Sequence, residues 1–332
     1  MADIVLLADP KTSAWNFAKN IQNYIKTTKE KEIPLNELEM IKFNNNEILP
    51  HVLENIRQKD VYYIQSSANK MPNDWVMELI LIKDLCMSAD VNNLIYVLPF
   101  MNYARQDRKD RSRVPISTRA VAGAISPGLK RIITMDLHSA QIENAYHIPL
   151  DNLHSFPSLV DHFVKNHTSD LENLAIVSPD VGGGSRARSL FNRFSSLKLP
   201  DSSKKSNYSF ALIFKTRDKP GSIEDMQLIG DVKDKSVLVV DDMYDTCNTN
   251  VKAAELLRNS GAKKLMTYAT HGLFTKGIDK ILSNYDTVIT SNTHYMPKKK
   301  DVGKIEIIDM APTFAEAIYR AHEGLSVSKL FE

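Results

Sequence analysis

Short apolar, β-branched runs punctuate the chain at 4–8 (IVLLA), 60–65 (DVYYIQ), 94–100 (LIYVLPF), 131–137 (RIITMDL), 174–180 (LAIVSPD), 210–215 (FALIFK), 236–242 (SVLVVDD), 264–272 (KLMTYATHG), 287–292 (TVITSN) and 304–310 (KIEIIDM). Several show little alternation, as do strands covered on both faces in a parallel sheet. Stretches of helical period lie between them. Over 74–89, Trp75, Leu79, Ile82 and Leu85 or Cys86 recur at helical spacing behind Asn73 or Asp74 as a cap. The repeated strand-helix alternation predicts an α/β chain with doubly wound sheets. Pro149 to Pro157, with Asn152 and Ser155 between them, reads as a linker, because one strand-helix series ends there before another opens at 174. The polar, aperiodic stretch 198–207 reads as an exposed loop. No strong sequence repeat is visible.

Length and charge narrow the class. The 332 residues exceed one ordinary core and suit two domains. Hydrophobic residues at 43% and charged residues at 25% exclude disorder over most of the chain. Forty-two basic against 40 acidic side chains leave a net charge of +2, so no global field favours nucleic acid or an anionic membrane, and any anion site must be local. Cys86 and Cys247 stand far apart, which fits a reducing compartment and excludes a zinc site built from cysteines. The first ten residues lack a basic flank, and no uncharged apolar run reaches the ~18 residues of a membrane span. A soluble, cytoplasmic protein is the expectation.

The segment most informative about chemistry is 236–261: a buried strand, an acidic and hydroxyl-rich loop, then a helix stopped by Gly261. Free N–H groups and the dipole at a helix N-terminus attract an anion, and the hydroxyls of Thr246 and Thr249 can add bonds to phosphate oxygens. Asp241, Asp242 and Asp245 would then face sugar hydroxyls or a bound Mg²⁺. The bland alternative is an ordinary capped helix after a strand.

This loop resembles the phosphoribosyl pyrophosphate-binding loop of the type I phosphoribosyltransferase fold: two hydrophobics, two acids, then D-T-G/A-G-T. Cys247-Asn248 stands where that pattern has its glycine pair. Asn is the non-glycine residue most tolerant of the left-handed region, so Asn248 is expected to keep the backbone shape, with weaker ribose-phosphate affinity as the consequence. By the resemblance, Asp241, Asp242, Asp245, Thr246, Cys247, Asn248 and Thr249 bind ribose 5-phosphate.

Further segments extend the resemblance over nearly the whole chain, to the ribose-phosphate pyrophosphokinase family. Taken alone, 102–117 (NYARQDRKDRSRVPIS) would be a solvated charged face, with Arg105, Arg108, Lys109, Arg111 and Arg113 among Asp107 and Asp110. It is similar to the family's nucleotide loop. Phe43-Asn44-Asn45-Asn46-Glu47 occupies the place of the F-x-D/N-x-E adenine turn. The ATP-binding set so implied is Phe43, Asn45, Glu47, Arg105, Gln106, Asp107, Asp110 and His138. The stretches 135–143 (MDLHSAQIE) and 177–188 (VSPDVGGGSRAR) resemble the metal and nucleotide-contacting loops, with His138 and Asp180 as the metal residues. Gly182-Gly183-Gly184 suits a backbone anion nest. Lys215 and Arg217 match the first and third members of the K-R-R catalytic loop, Thr216 replacing the second. They would stabilise charge that develops in the transition state. The tail 324–331 is similar to S-V-S-x-L-F, which makes Ser326, Ser328 and Phe331 allosteric candidates, although Ala140 and Gln141-Ile142-Glu143 depart from the pattern in a neighbouring loop.

The resemblance implies two phosphoribosyltransferase-like domains, each a mainly parallel sheet flanked by helices: 1–153, with 313–332 returning to it, and 154–312. It implies transfer of pyrophosphate from ATP to ribose 5-phosphate with Mg²⁺, and a homo-oligomer, a hexamer assembled from dimers with the adenine site completed by a neighbour's 105–113 loop. A non-catalytic regulatory subunit of the same build is the alternative, motivated by Cys247-Asn248 and Thr216. A phosphoribosyltransferase would have no use for the nucleotide segments, and a nucleic-acid binder ranks last.

Overall fold

The structure is a computed structural model that describes residues 3–197, 207–216, 225–294 and 303–331. The described residues fall into two compact units, one within Met1–His154 and Asp309–Glu332, the other within Ser155–Ile308. Each is built on one seven-stranded sheet.

The first sheet comprises β1 (Ile4–Ala8), β2 (Leu35–Lys42), β3 (Ile48–Val52), β4 (Asp60–Ile64), β5 (Asn93–Leu98), β6 (Arg131–Met135) and β7 (Leu150–Leu153), in the order β3-β2-β1-β4-β5-β6-β7. Every pair is parallel except β2 with β3. Helices α1 (Ser13–Lys29), α2 (Pro72–Ser88) and α3 (Ser117–Ile125) cover its faces. In α2 the cap is Met71 and Pro72 takes the first turn, so the helix begins ahead of the Asn73 or Asp74 cap read from the sequence. Pro suits that position because its missing N–H would be unpaired there in any case.

The second sheet comprises β8 (Leu174–Ser178), β9 (Ser209–Thr216), β10 (Asp225–Ile229), β11 (Ser236–Tyr244), β12 (Lys264–Gly272), β13 (Thr287–Ser291) and β14 (Glu306–Ile308), in the order β10-β9-β8-β11-β12-β13-β14. Its helices are α4 (Phe156–Asn166), α5 (Gly184–Ser196), α6 (Asn248–Asn259) and α7 (Asp279–Leu282). A final helix, α8 (Ala311–His322), returns to the first unit, where Phe314 meets Phe17 of α1 edge to face at 5.4 Å. The second sheet repeats the first strand for strand, an antiparallel hairpin at one edge and four parallel strands in chain order beyond the first. The fold is therefore duplicated where the sequence shows no repeat.

Ten of these strands lie where the apolar runs predict them. The others are β2, β3, β7 and β10, all at or beside a sheet edge, where one face and one hydrogen-bonding side are wet. β2 (LNELEMIK) alternates polar and apolar, and β3 carries Pro50, tolerated only at an edge. β7 lies inside the stretch read as a linker, so the passage between units is shorter than 149–157. The polar loop read at 198–207 lies outside the described residues up to 206.

Candidate active site

In sheets of this order the chain reverses direction between the first strand and the fourth, and crevices for ligands open there at the carboxyl ends of the strands. In the second unit those ends belong to β8 and β11, which are parallel neighbours. They bring together two segments singled out in the sequence, 177–188 and 241–249.

After β8, Ser178 donates to the backbone oxygen of Asp180 at 2.7 Å, and the Gly183 N–H donates to the Asp180 carboxylate at 3.0 Å. Gly183 is required here, because a Cβ would lie 2.9 Å from the Ser178 hydroxyl. After β11, Asp242 is buried and its carboxylate lies 3.5 Å from the Arg186 guanidinium of α5. Asp241, next to it, accepts the Asp242 N–H at 2.9 Å. Burial of its carboxyl group, then the negative charges of Asp242 and Asp180, hold Asp241 well above the usual carboxylate range.

The turn into α6 corrects one expectation. The residue in the left-handed region is Cys247, at φ 61°, whereas Asn248 is already the first residue of the helix. Cys247 is buried and makes no side-chain capping bond, so the first-turn N–H groups of α6 have no cap from that side chain. Burial, then the nearby Asp245, pushes its thiol up to about 12, which removes it as a nucleophile. Two residues that the sequence did not single out fix the loop from outside. Thr275 donates to the Asp245 carboxylate at 2.6 Å, and Lys280 of α7 donates to the Asn248 side chain at 2.5 Å. Their separation from the motif in the sequence hid them.

Lys215 lies on β9, in register with Met226 of β10, one residue before the strand ends at Thr216. Arg217 lies outside the described residues.

In the first unit, Phe43 to Glu47 form the tip of the β2–β3 hairpin. The Phe43 N–H donates to the Glu47 oxygen at 2.8 Å, the Asn45 side chain accepts the Glu47 N–H at 3.2 Å, and Asn46 is left-handed at φ 71°. The Phe43 ring is 49% exposed, an unusual position for a phenylalanine that nothing in its own unit covers. The loop after β5 is tied to α3: Ser117 donates to the Gln106 side chain at 2.8 Å and Thr118 to the Tyr103 oxygen at 2.7 Å. Asp107 accepts from Ser139, which joins the basic loop to that of His138. Arg105, Asp110 and His138 are exposed. Beside His138, the left-handed, buried Asp136 (φ 40°) has its carboxylate 3.3 Å from His154, whose ring meets Phe331 edge to face at 5.0 Å. The tail candidates therefore reach the same corner. Ser326 and Ser328 lie hydroxyl to hydroxyl at 2.8 Å, with Arg320 donating to the Ser326 oxygen at 3.0 Å.

Two sheets of one repeated order, with acid-rich loops at the switch point of the second, define a chain built from two phosphoribosyltransferase-like units. Residues 11–127 match the family model described as the N-terminal domain of ribose phosphate pyrophosphokinase, and 172–332 match that of the phosphoribosyl synthetase-associated domain. Ribose-phosphate pyrophosphokinase 4 of Saccharomyces cerevisiae is 39% identical over 308 residues, 92% of this chain and 90% of that one. Ribose-phosphate pyrophosphokinase 2 of the same yeast is 39% identical over 303 residues, 90% of each. The phosphoribosylpyrophosphate synthetase of Mycobacterium smegmatis superposes with a TM-score of 0.83 at 28% identity, covering 97% of this chain and 99% of that structure. The chain belongs to the ribose-phosphate pyrophosphokinase family of enzymes.

Proposed function

We propose that the chain transfers the pyrophosphoryl group of ATP to the anomeric hydroxyl of ribose 5-phosphate, releasing AMP and forming 5-phosphoribosyl 1-pyrophosphate. The observation that carries this reading is the switch-point assembly of Asp180, Arg186, Asp241 and Asp242 beside the N-terminus of α6. Matches across both units, to proteins named for that activity, support it.

In this reading the α6 N-terminus and the Thr246 and Thr249 hydroxyls hold the 5-phosphate, with Cys247 and Asn248 shaping the turn. Asp241 accepts from the ribose hydroxyls, and Asp242 keeps Arg186 in place. Asp245, fixed by Thr275, borders the sugar. Phe43 stacks on the adenine while Asn45 and Glu47 bond its edge. Arg105, Gln106, Asp107 and Asp110 bind the rest of the nucleotide with His138. β2 and β5 are separated by β1 and β4, roughly 14 Å at ~4.8 Å per strand, so the two nucleotide segments of one chain stand apart. That spacing favours a homo-oligomer, proposed as a hexamer assembled from dimers, in which a neighbour's loop completes the adenine site.

The carboxylates of Asp180, Asp241 and Asp242 are hard oxygen donors whose crowding a divalent cation would relieve, which suits Mg²⁺. His138 and Asp180 are proposed as its residues. Bound there with ATP, Mg²⁺ would offset charge on the phosphoryl oxygens. Lys215 and Arg217 supply the cations that meet charge as it develops between the attacking and leaving oxygens. The free, buried cysteines fit a cytoplasmic setting, and no described helix is long and apolar enough to cross a membrane. The tail residues Ser326, Ser328 and Phe331 are proposed as regulatory through His154.

Lys215→Ala is expected to lower kcat by at least about 10³-fold, with ATP affinity and unfolding temperature within error of the parent. Near-parental turnover would remove Lys215 from the mechanism.

A further inference from the structure

Away from the switch point, at the opposite edge of the second sheet, two imidazoles converge on one carboxylate. His162 lies in the last turn of α4 and His167 directly follows that helix, where the chain has left helical geometry at φ −131°. Their Nε2 atoms lie 2.6 and 2.9 Å from the same oxygen of Glu306, the first residue of the edge strand β14. Among the described residues, these three offer metal-capable atoms that all lie within 4.8 Å of one another. We propose that His162, His167 and Glu306 form a zinc-class metal site, separate from the catalytic Mg²⁺ and open to solvent at a fourth position.

The donor set selects the ion. Two imidazoles and one carboxylate suit a borderline-soft divalent ion such as Zn²⁺, whereas Mg²⁺ prefers oxygen and water. A four-coordinate ion with bonds near 2.1 Å holds its ligand atoms about 3.4 Å apart, so the nitrogens of His162 and His167, now 2.6 and 2.9 Å from Glu306, need to draw back by roughly 0.8 and 0.5 Å. Support behind the ligands is present. The Nδ1 of His167 lies 3.6 Å from Asp170, a buried carboxylate itself fixed by Ser236 at 2.8 Å and Lys264 at 2.7 Å. Closing that gap gives the carboxylate–histidine–metal arrangement that orients ligating imidazoles. The Nδ1 of His162 lies 3.1 Å from the Asn166 amide nitrogen, which also donates to the His162 backbone oxygen at 3.1 Å.

The geometry also provides access and charge. The side chains of His162 and His167 are 18% and 9% exposed and that of Glu306 is 37% exposed, so the carboxylate forms the solvent-facing wall. Glu306 brings the carboxylate charge that a divalent ion bound beside two imidazoles takes up. Each imidazole would ligate the ion through Nε2 as the Nδ1–H tautomer. Neither imidazole nor Glu306 serves the proposed transfer reaction. The site would clip the C-terminal end of α4 to the exposed edge of the sheet.

The test is zinc uptake by the full-length protein, freed of metal with a chelator and titrated with ZnCl₂ under saturating Mg²⁺. The parent is expected to retain one more zinc per chain after gel filtration than His162→Asn or Glu306→Gln, whose affinity at this site falls at least 100-fold. Co²⁺ added to the parent is expected to give the intense visible absorption of a four-coordinate ion with nitrogen and oxygen donors. That readout needs no variant. No zinc retained by the parent, equal zinc in parent and variants, or only the weak absorption of six-coordinate Co²⁺ would overturn the site.

Discussion

Asp241 carries a cost that makes sense only for a ligand. Half-buried beside Asp242 and Asp180, its carboxyl group is desolvated and faces their negative charges, and its affinity for a proton rises well above the usual range. For an acid shifted in that direction, the charged form is disfavoured in the folded state. The cost begins above the unfolded pKa near 3.9 and is complete above the folded one. Asp241→Asn is therefore expected to raise the unfolding temperature of ligand-free protein at pH 8, with the gain shrinking as pH falls, while ribose 5-phosphate binding is lost. A variant less stable than the parent at pH 8 would contradict the charge argument. At the neighbouring turn, a cysteine rather than a glycine holds a left-handed backbone beside the helix N-terminus. Cys247→Gly removes that strain and opens the approach to the α6 amides, and should tighten ribose 5-phosphate binding about fivefold, or ~1 kcal/mol. Asn248→Gly should not, since Asn248 is helical. Titration of the sugar phosphate against both variants separates the two positions.

At the scale of elements, the repeated fold gives two loops the same address. The β2–β3 hairpin, whose tip carries Phe43, Asn45 and Glu47, corresponds to the β9–β10 hairpin that carries Lys215. Gly230, next after β10, sets the second hairpin's spacing. It has φ 118°, and a Cβ would meet Ala211 at 2.6 Å and the Phe210 oxygen at 2.8 Å. Gly230→Ala is expected to cost about 2–4 kcal/mol and lower the unfolding temperature by roughly 5–15 °C, because backbone atoms cannot step aside. Calorimetry of the variant measures this, and an unchanged midpoint would show that the hairpin can shift freely.

Legibility in the sequence followed burial. Central strands such as β1 and β11 announced themselves as apolar runs because both faces are covered. The hairpin partners β2, β3 and β10 did not, since an edge strand carries polar residues on its wet face and has no run to show. The loop chemistry was half legible. The acids, hydroxyls and basic clusters stood in contiguous motifs, and Asp180 and Asp241 proved to share one corner of the second unit. Thr275 and Lys280 reach that corner through the fold alone, and so does the pairing of His162 and His167 with Glu306 across 139 positions from His167.

At the scale of the molecule, one pattern of seven strands occurs twice, with the Phe43 hairpin and the basic loop in one copy and the acid-rich corner in the other. The last helix stitches the chain end back onto the first copy through Phe314 and through Glu316, which pairs with Lys29 at 2.8 Å. In the proposed reaction both copies contribute, so neither substrate alone should turn over. The most direct measurement follows AMP and 5-phosphoribosyl 1-pyrophosphate together from full-length protein, ATP, Mg²⁺ and ribose 5-phosphate. The account requires equal amounts of the two products, both absent when the sugar phosphate is omitted. AMP or ADP formed without the sugar, or no products from folded protein that binds ATP, would contradict it.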